Sequence, residues 1–455
     1  MSALWTSADI VTATGGMASA SFEVSGVAFD SREIGAGDLF VAMPGETTDG
    51  HNFVDAAFSR GAAGAIVSRP VSHPHILVAD TAAALNVLGV AARARTAAKI
   101  AGVTGSVGKT GTKEALSAAL ARVPGKRVHR SVKSYNNHTG VPLSLARMPA
   151  DSDFGIFEMG MNHAGELSAL TRMARPHVAL VTAIAPAHIE HLGSEEAIAD
   201  AKGELFEGLQ PGGTAIVPFD SEQSDRLIAL ARPHAATILT FGTSSRADVH
   251  ARDAVPVTGG TLITAVLPDA ELCFTVNQPG AHWVSNALAV IACVSALGGD
   301  LAAAGLALAE LPELPGRGQR KTIRVGNGAA TIIDESYNAN AASMAATLAV
   351  LGAEPANRRI AVLGEMGELG AASDALHEGL AGPLLAAKVD YVVLAGPAMR
   401  PLARALEGRV EVRHVPDAAA ARDCLMSILA PGDTVLVKGS NYVGMSAVVA
   451  ALGND

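Results

Sequence analysis

The chain has 455 residues, enough for roughly two to four domains that each bury a core. It carries 34 basic against 44 acidic side chains, a net charge of −10. That balance excludes a general attraction for nucleic acid or for an anionic membrane surface, so an anionic ligand must be held by a local cluster. The first residues, with Leu4, Trp5 and Thr6, lack a basic region followed by a long apolar run, so no signal peptide is expected. The longest nearly uncharged stretch, 281–299, contains His282, Ser285, Asn286 and Ser295, which predicts a buried amphipathic helix rather than membrane insertion. Cys273, Cys293 and Cys424 are far apart in apolar surroundings and read as reduced core residues of a cytoplasmic protein.

In chain order, short β-like runs at 27–29, 39–42 and 65–67 are separated by turn signals such as Pro44-Gly45 and Asp49-Gly50, and a helix is expected over 81–98. Next come apolar runs at 100–103, 154–157, 178–183 and 214–217, alternating with helical patterns. That rhythm predicts a mostly parallel sheet covered on both faces. After Pro312-Glu-Leu-Pro-Gly-Arg-Gly318, which reads as a hinge, strands at 330–333, 359–363, 391–394 and 434–437 repeat the αβ rhythm, and a last helix spans 443–452. The expected architecture is α/β in three domains: 1–98, 99–318 and 319–455.

The sharpest motif is Thr104-Gly105-Ser106-Val107-Gly108-Lys109-Thr110, placed between strand 100–103 and a helix beginning near Glu114. Glycines let such a loop turn several backbone N–H groups toward one phosphate. Lys109 adds charge, Thr110 a hydroxyl suited to Mg²⁺, and the helix start its positive end. The spacing is not that of a regular Walker A motif, because Val103 stands five before Gly108. A nucleoside triphosphate is the expected ligand.

Glu158 ends a strand of the expected parallel sheet, where ligands bind beyond strand carboxyl ends, and its carboxylate could hold Mg²⁺. His188 follows the next strand and gains meaning from Lys202. Ser194 suits a helix N-cap and Glu195 and Glu196 suit the first turn. Lys202 then falls on the apolar stripe of Ile198, Leu205, Phe206 and Leu209. An inward lysine is rare unless paired or altered, and desolvation frees a neutral amine; snorkelling from the stripe's edge is the alternative. Asn136-Asn137-His138-Thr139 could bind a polar substrate or simply turn the chain. Asn286 could read a base edge, and Arg317 and Arg320 could reach phosphate across the hinge. Asp334, Tyr337 and Asn338 lie at another carboxyl edge. For these, capping or surface roles fit the sequence equally.

Together the motifs resemble those of the Mur ligases, ATP-dependent amide-forming enzymes of peptidoglycan synthesis, over nearly the whole chain. The loop T-G-S-x-G-K-T is similar to that family's variant, and Asn136 to Pro142, Glu158, His188, Lys202, Asn286, Arg317 and Asp334 fall in family order. The stretches Asp38–Ala42 with Asp49-Gly50-His51, Ala187–Glu190, Asp334–Met344 and Val437–Ser440 resemble members that add D-Ala-D-Ala to a UDP-N-acetylmuramoyl-tripeptide. The D-N-P-R and D-D-Y-x-H-H patterns of other members are absent. Gly111 stands where relatives usually carry Thr, and Asn441 where some carry Arg.

The resemblance implies ligation through an acyl phosphate. It implies ATP contacts at Gly105, Ser106, Val107, Gly108, Lys109, Thr110, Asn286, Arg317, Asp334, Tyr337 and Asn338. Two Mg²⁺ are implied, with Thr110, Glu158 and His188 as ligands, and Lys202 carboxylated at Nζ (N6-carboxylysine). Lys109, Lys202, His188 and Glu158 form the implied catalytic set. Asp30, Ser31, Arg32, Thr47, Asn136, Asn137, Thr139 and Lys438 are the implied substrate contacts, in a monomer. The alternatives are another Mur ligase, a folylpolyglutamate synthase-like ligase, or a P-loop nucleotide switch.

Overall fold

Strand Lys99–Thr104 lies inside the largest sheet of the computed structural model, which describes residues 3–45, 48–186 and 189–453. The strand order there, by first residue, is 271, 260, 249, 237, 214, 178, 99, 154, 128. From Val128–Arg130 to Val249–Val257 the neighbours are parallel. The chain runs from strand 99 to one side and then crosses to the other at strand 178. The carboxyl end of Lys99–Thr104 therefore lies at the switch point, where such sheets bind ligands.

Alternating sequence produces this arrangement. Ile100, Ala101 and Val103, Ile156 and Phe157, and Val178 to Val181 are fully buried, as strands covered on both faces must be. One face packs on helix Ala281–Ala296, the other on helices around Leu167, Leu205 and Leu227. The expected amphipathic helix at 281–299 is instead buried nearly all round, from Ala287 to Val294. Helices Lys109–Ala121 and Leu301–Ala309 cover the side that would have met water.

Three strands the sequence reading missed, Val249–Val257, Gly260–Val266 and Glu271–Val276, extend the sheet as antiparallel hairpins. Cys273 sits on the last of these and is exposed, not a core residue; Cys293 is buried and Cys424 intermediate.

Before this unit, Gly26–Ala28, Asp38–Val41, Gly64–Val67 and His75–Leu77 form a parallel sheet with Met17–Ala18 antiparallel at its edge. Helix Thr81–Ala94, capped by Asp80, ends four residues short of the expected 98. It packs on helix Gly140–Ala146, and Trp5 Nε1 donates to the carbonyl of Ala146 at 2.8 Å.

After the hinge, six strands pair in the order 319, 328, 433, 358, 391, 411, the first pair antiparallel and the rest parallel. The last helix is Ser446–Leu452, preceded by a 3-10 turn at Asn441–Val443. Three α/β units result, each with its own sheet. Among the described residues, no helix is long and apolar enough to cross a membrane.

Candidate active site

A cavity of about 410 Å³ opens where the carboxyl ends of the central and third sheets face each other. Ser106 to Gly111, Asn136, Glu158, Lys202 and Asn286 line one side; Arg317, Tyr337, Asn338 and Lys438 line the other.

The glycine loop owes its path to two contacts. Gly105 has φ +147°, and a Cβ there would stand 1.9 Å from Thr182 Oγ1. Gly108 has φ +83°, and a Cβ would meet Asn286 Oδ1 at 2.8 Å. Thr182 Oγ1 donates to the carbonyl of Val107 at 2.6 Å, and Ser106 Oγ donates to that of Ala185 at 2.9 Å. Both bonds tie the loop to the next strand's end. Helix Lys109–Ala121 starts at Gly108 with no side-chain cap, so its first N–H groups remain available to an anion. Gly111, the departure noted above, leaves room for the Trp283 ring, 3.2 Å from where a Cβ would be.

Lys109 Nζ donates to the carbonyl of Gly105 at 2.6 Å. Burial pulls its amine below the ordinary lysine range, with Glu158 opposing that shift and Arg317 adding to it. Thr110 Oγ1 donates to Glu158 Oε2 at 2.8 Å, and Asn136 Nδ2 donates to Glu158 Oε1 at 2.8 Å. Glu158 is 1% exposed.

Lys202 is also 1% exposed, on helix Glu195–Gly203, whose N-cap is Ser194. Among the described residues its amine has no hydrogen-bond or ion-pair partner. Burial holds its pKa well below the ordinary lysine value, and the Lys109 cation adds to this. An amine that gives up its proton more readily, facing a polar cavity, is chemically open to carboxylation.

Across the cavity, Arg317 Nη2 donates to Ser134 Oγ at 3.2 Å and its guanidinium lies 3.9 Å over the Tyr337 ring. Lys438 Nζ donates to the carbonyl of Asn338 at 2.9 Å and approaches Glu335 Oε2 at 3.4 Å. Burial lowers its pKa while Glu335 opposes the shift.

Several expected contacts lie elsewhere. Asp334 does not line the cavity; its carboxylate accepts from Ser336 N and Oγ and from Gly316 N, and so shapes the hinge. Arg320 turns away and pairs with Glu354. Asn137 Oδ1 accepts from Thr139 Oγ1 at 3.0 Å and Gly140 N at 2.9 Å, so both residues turn the chain rather than face the cavity. Asp30, Ser31 and Arg32 lie on the first unit, outside the cavity, with Arg32 paired to Asp30 at 2.7 Å. His188 and Thr47 lie outside the described residues.

Residues not anticipated from sequence include Ser134, Trp283 and Lys113. Lys113 stands four after Lys109 and three before Leu116 on a buried stripe. The periodicity that marked Lys202 would have found it.

Among the described residues no cluster of three or more His, Cys, Asp or Glu could hold a metal alone. Thr110 with Glu158 is a two-donor set of the kind that holds Mg²⁺ together with phosphate oxygens and waters. The glycine cradle and uncapped helix fit a triphosphate. Fold and site together define a P-loop enzyme whose phosphate loop faces a third domain across the cavity.

The Mur ligase middle domain matches residues 103–294, the Mur ligase glutamate ligase domain 316–441, and the Mur ligase family catalytic domain 23–129. The UDP-N-acetylmuramoyl-tripeptide–D-alanyl-D-alanine ligase of Escherichia coli K12 is 34% identical over 96% of this chain and 96% of its own. The crystal structure of MurF from Acinetobacter baumannii superposes with a TM-score of 0.85 at 30% identity, covering 98% of both chains. MurF from Thermotoga maritima in complex with ADP has a TM-score of 0.77 at 26% identity, over 94% and 97% of the chains. The chain belongs to the Mur ligase family.

Proposed function

We propose that this protein joins D-Ala-D-Ala to the terminal carboxylate of a UDP-N-acetylmuramoyl-tripeptide, forming ADP and phosphate, as a cytoplasmic monomer. The observation that carries the reading is the buried amine of Lys202, without a partner among the described residues, in the same cavity as the phosphate loop, Thr110 and Glu158. A nucleotide switch has no use for that amine; an enzyme that must activate a carboxylate does. Full-length similarity to ligases bearing that name supports the choice of substrates.

A carboxylate is a poor electrophile, and its reaction with ATP brings two anions together. The loop amides of Gly105 to Lys109 and the Lys109 ammonium hold the phosphates while the substrate carboxylate oxygen attacks the γ-phosphorus and ADP leaves. The amine of D-Ala-D-Ala then attacks the acyl carbon, loses a proton, and inorganic phosphate departs. Thr110, Glu158 and His188 would hold Mg²⁺, which would supply charge neutralisation for the reacting anions. Carboxylated Lys202 would add a further anion to that donor set. Asn286 and Tyr337 flank the base and sugar, and Arg317 reaches phosphate from the hinge. Asp334 and Asn338 act by shaping the edge from which Lys438 faces the substrates.

Asp30 to Arg32, Thr47, Asn136, Asn137 and Thr139 serve the UDP-peptide end, with domain limits at 98/99 and 318/319. A phosphate-release assay over a panel of UDP-muramoyl peptides and acceptors tests this. Release that requires both the tripeptide and D-Ala-D-Ala supports it; equal turnover with either alone refutes it.

A further inference from the structure

The segment 131–136 touches the first unit, the central unit and the 312–318 stretch that leads to the third. Its carbonyls at Ser131 and Lys133 accept from Lys113 Nζ at 2.9 and 2.7 Å. Lys113 is fully buried; it also pairs with Glu114 at 2.9 Å and stands 3.9 Å from Glu158 Oε2. Two of its N–H donors are thus held by backbone carbonyls, and its amine sits beside Glu114 and the carboxylate that Thr110 holds. Lys133 has φ +53°, a conformation that non-glycine residues keep only when neighbours impose it. From outside, its ammonium pairs with Glu33 of the first unit, which also accepts from Tyr135 Oη at 2.8 Å. The strap then presents Ser134 Oγ to Thr110 at 3.4 Å and to Arg317 at 3.2 Å. Asn136 is bonded to Glu158 at 2.8 Å.

Burying a lysine ammonium on backbone carbonyls is costly, and a methionine of similar length would fill the space without that cost. We propose that Lys113 is a positioning residue for Mg²⁺·nucleotide binding. It holds strap 131–136 so that Ser134 and Asn136 keep Thr110 and Glu158 in binding geometry. This rests on reading the cavity as a Mg²⁺·ATP site.

The test is calorimetric titration of ADP and ATP into the full-length protein at several Mg²⁺ concentrations, for wild type, Lys113→Met and Ser134→Ala, with thermal unfolding alongside. Groups that orient metal ligands typically change affinity about 10- to 100-fold when removed. Lys113→Met is expected to raise the Mg²⁺ requirement by roughly that factor while unfolding in a single transition. Ser134→Ala, which leaves the lysine in place, is expected to shift the same requirement by a smaller factor. A lowered unfolding temperature with unchanged Mg²⁺ dependence in Lys113→Met makes the residue merely structural and overturns the proposal. Should Lys113→Met not fold, Ser134→Ala decides: an unchanged Mg²⁺ requirement overturns the proposal and a raised one supports it. Failure of the wild type to bind any Mg²⁺·nucleotide defeats the reading of the cavity itself, an outcome separate from wild-type behaviour in the variants alone.

Discussion

Thr110 Oγ1 donates to Glu158 Oε2 at 2.8 Å, joining the first turn of the phosphate-loop helix to the end of the neighbouring parallel strand. Parallel register makes this possible: Glu158 is the Cα partner of Val103, one residue before the loop begins. The hydroxyl and the carboxylate thus meet because two adjacent strands end together.

Glu158→Gln keeps the shape but removes the charge, and its amide would have to face either the Thr110 hydroxyl or the Asn136 amide. Mg²⁺·ATP affinity is expected to fall by about 10- to 100-fold, with a larger loss in kcat/KM. Calorimetry against Mg²⁺ concentration and steady-state ligation measure the two effects.

Lys202→Ala is expected to abolish ligation, with partial recovery on adding a small carboxylic acid that can occupy the vacated space. Wild-type ligation by Lys202→Ala refutes the role given to the amine. In carbon-dioxide-free buffer, Lys202→Met is expected to be more stable than wild type below about pH 10.4. The native amine releases its proton at lower pH than the unfolded one, so the unfolded chain binds more protons across that window. Wild-type stability therefore rises with pH there and falls relative to Lys202→Met as pH drops from about 10.4, by up to ~1.4 kcal/mol per pH unit. Denaturant unfolding from pH 10 downward reads this difference.

Gly108→Ala forces a Cβ onto φ +83° and to 2.8 Å from Asn286 Oδ1. A loss of about 1 kcal/mol or more in stability is expected, with nucleotide affinity falling further because the loop amides turn away. Unfolding and ADP titration on the same sample separate the two.

Gly111→Ala should gain about 1 kcal/mol of helix propensity, yet its Cβ would stand 3.2 Å from the Trp283 ring. In the wild-type background the gain is expected to be mostly cancelled. With Trp283→Leu it should appear in full, a coupling that a double-mutant cycle measures.

Arg317→Lys keeps the charge but loses the planar stack on Tyr337 and the reach to Ser134. The KM for ATP is expected to rise roughly tenfold, about 1.4 kcal/mol, with a smaller effect on the unfolding temperature. An unchanged KM places Arg317 outside phosphate binding.

Much of this was legible in the residues because it depends on short-range pattern. The strands at 100–103 and 154–157, the Ser194 cap and the inward face of Lys202 follow from alternation, capping chemistry and 3.6-residue periodicity. The hairpins between 249 and 276 were missed because their exposed outer positions, Val255, Val257 and Leu262 among them, blur the alternation that marks a half-buried strand. For Asp334 and Asn137 the sequence left ligand contact and turn capping equally open, because carboxylates and amides at strand ends serve both. Their partners, Gly316 and Ser336 for one and Thr139 and Gly140 for the other, add the capping role that no local pattern specified.

By itself the sequence determined the αβ rhythm, the phosphate loop and the family, since each is written in neighbours a few residues apart. Tertiary structure alone decided which side chains share the cavity. Glu158 meets Thr110 across 48 positions and Arg317 meets Ser134 across 183. Contacts at such separation arise from strand register and from the closing of one sheet's edge on another, which no local pattern encodes.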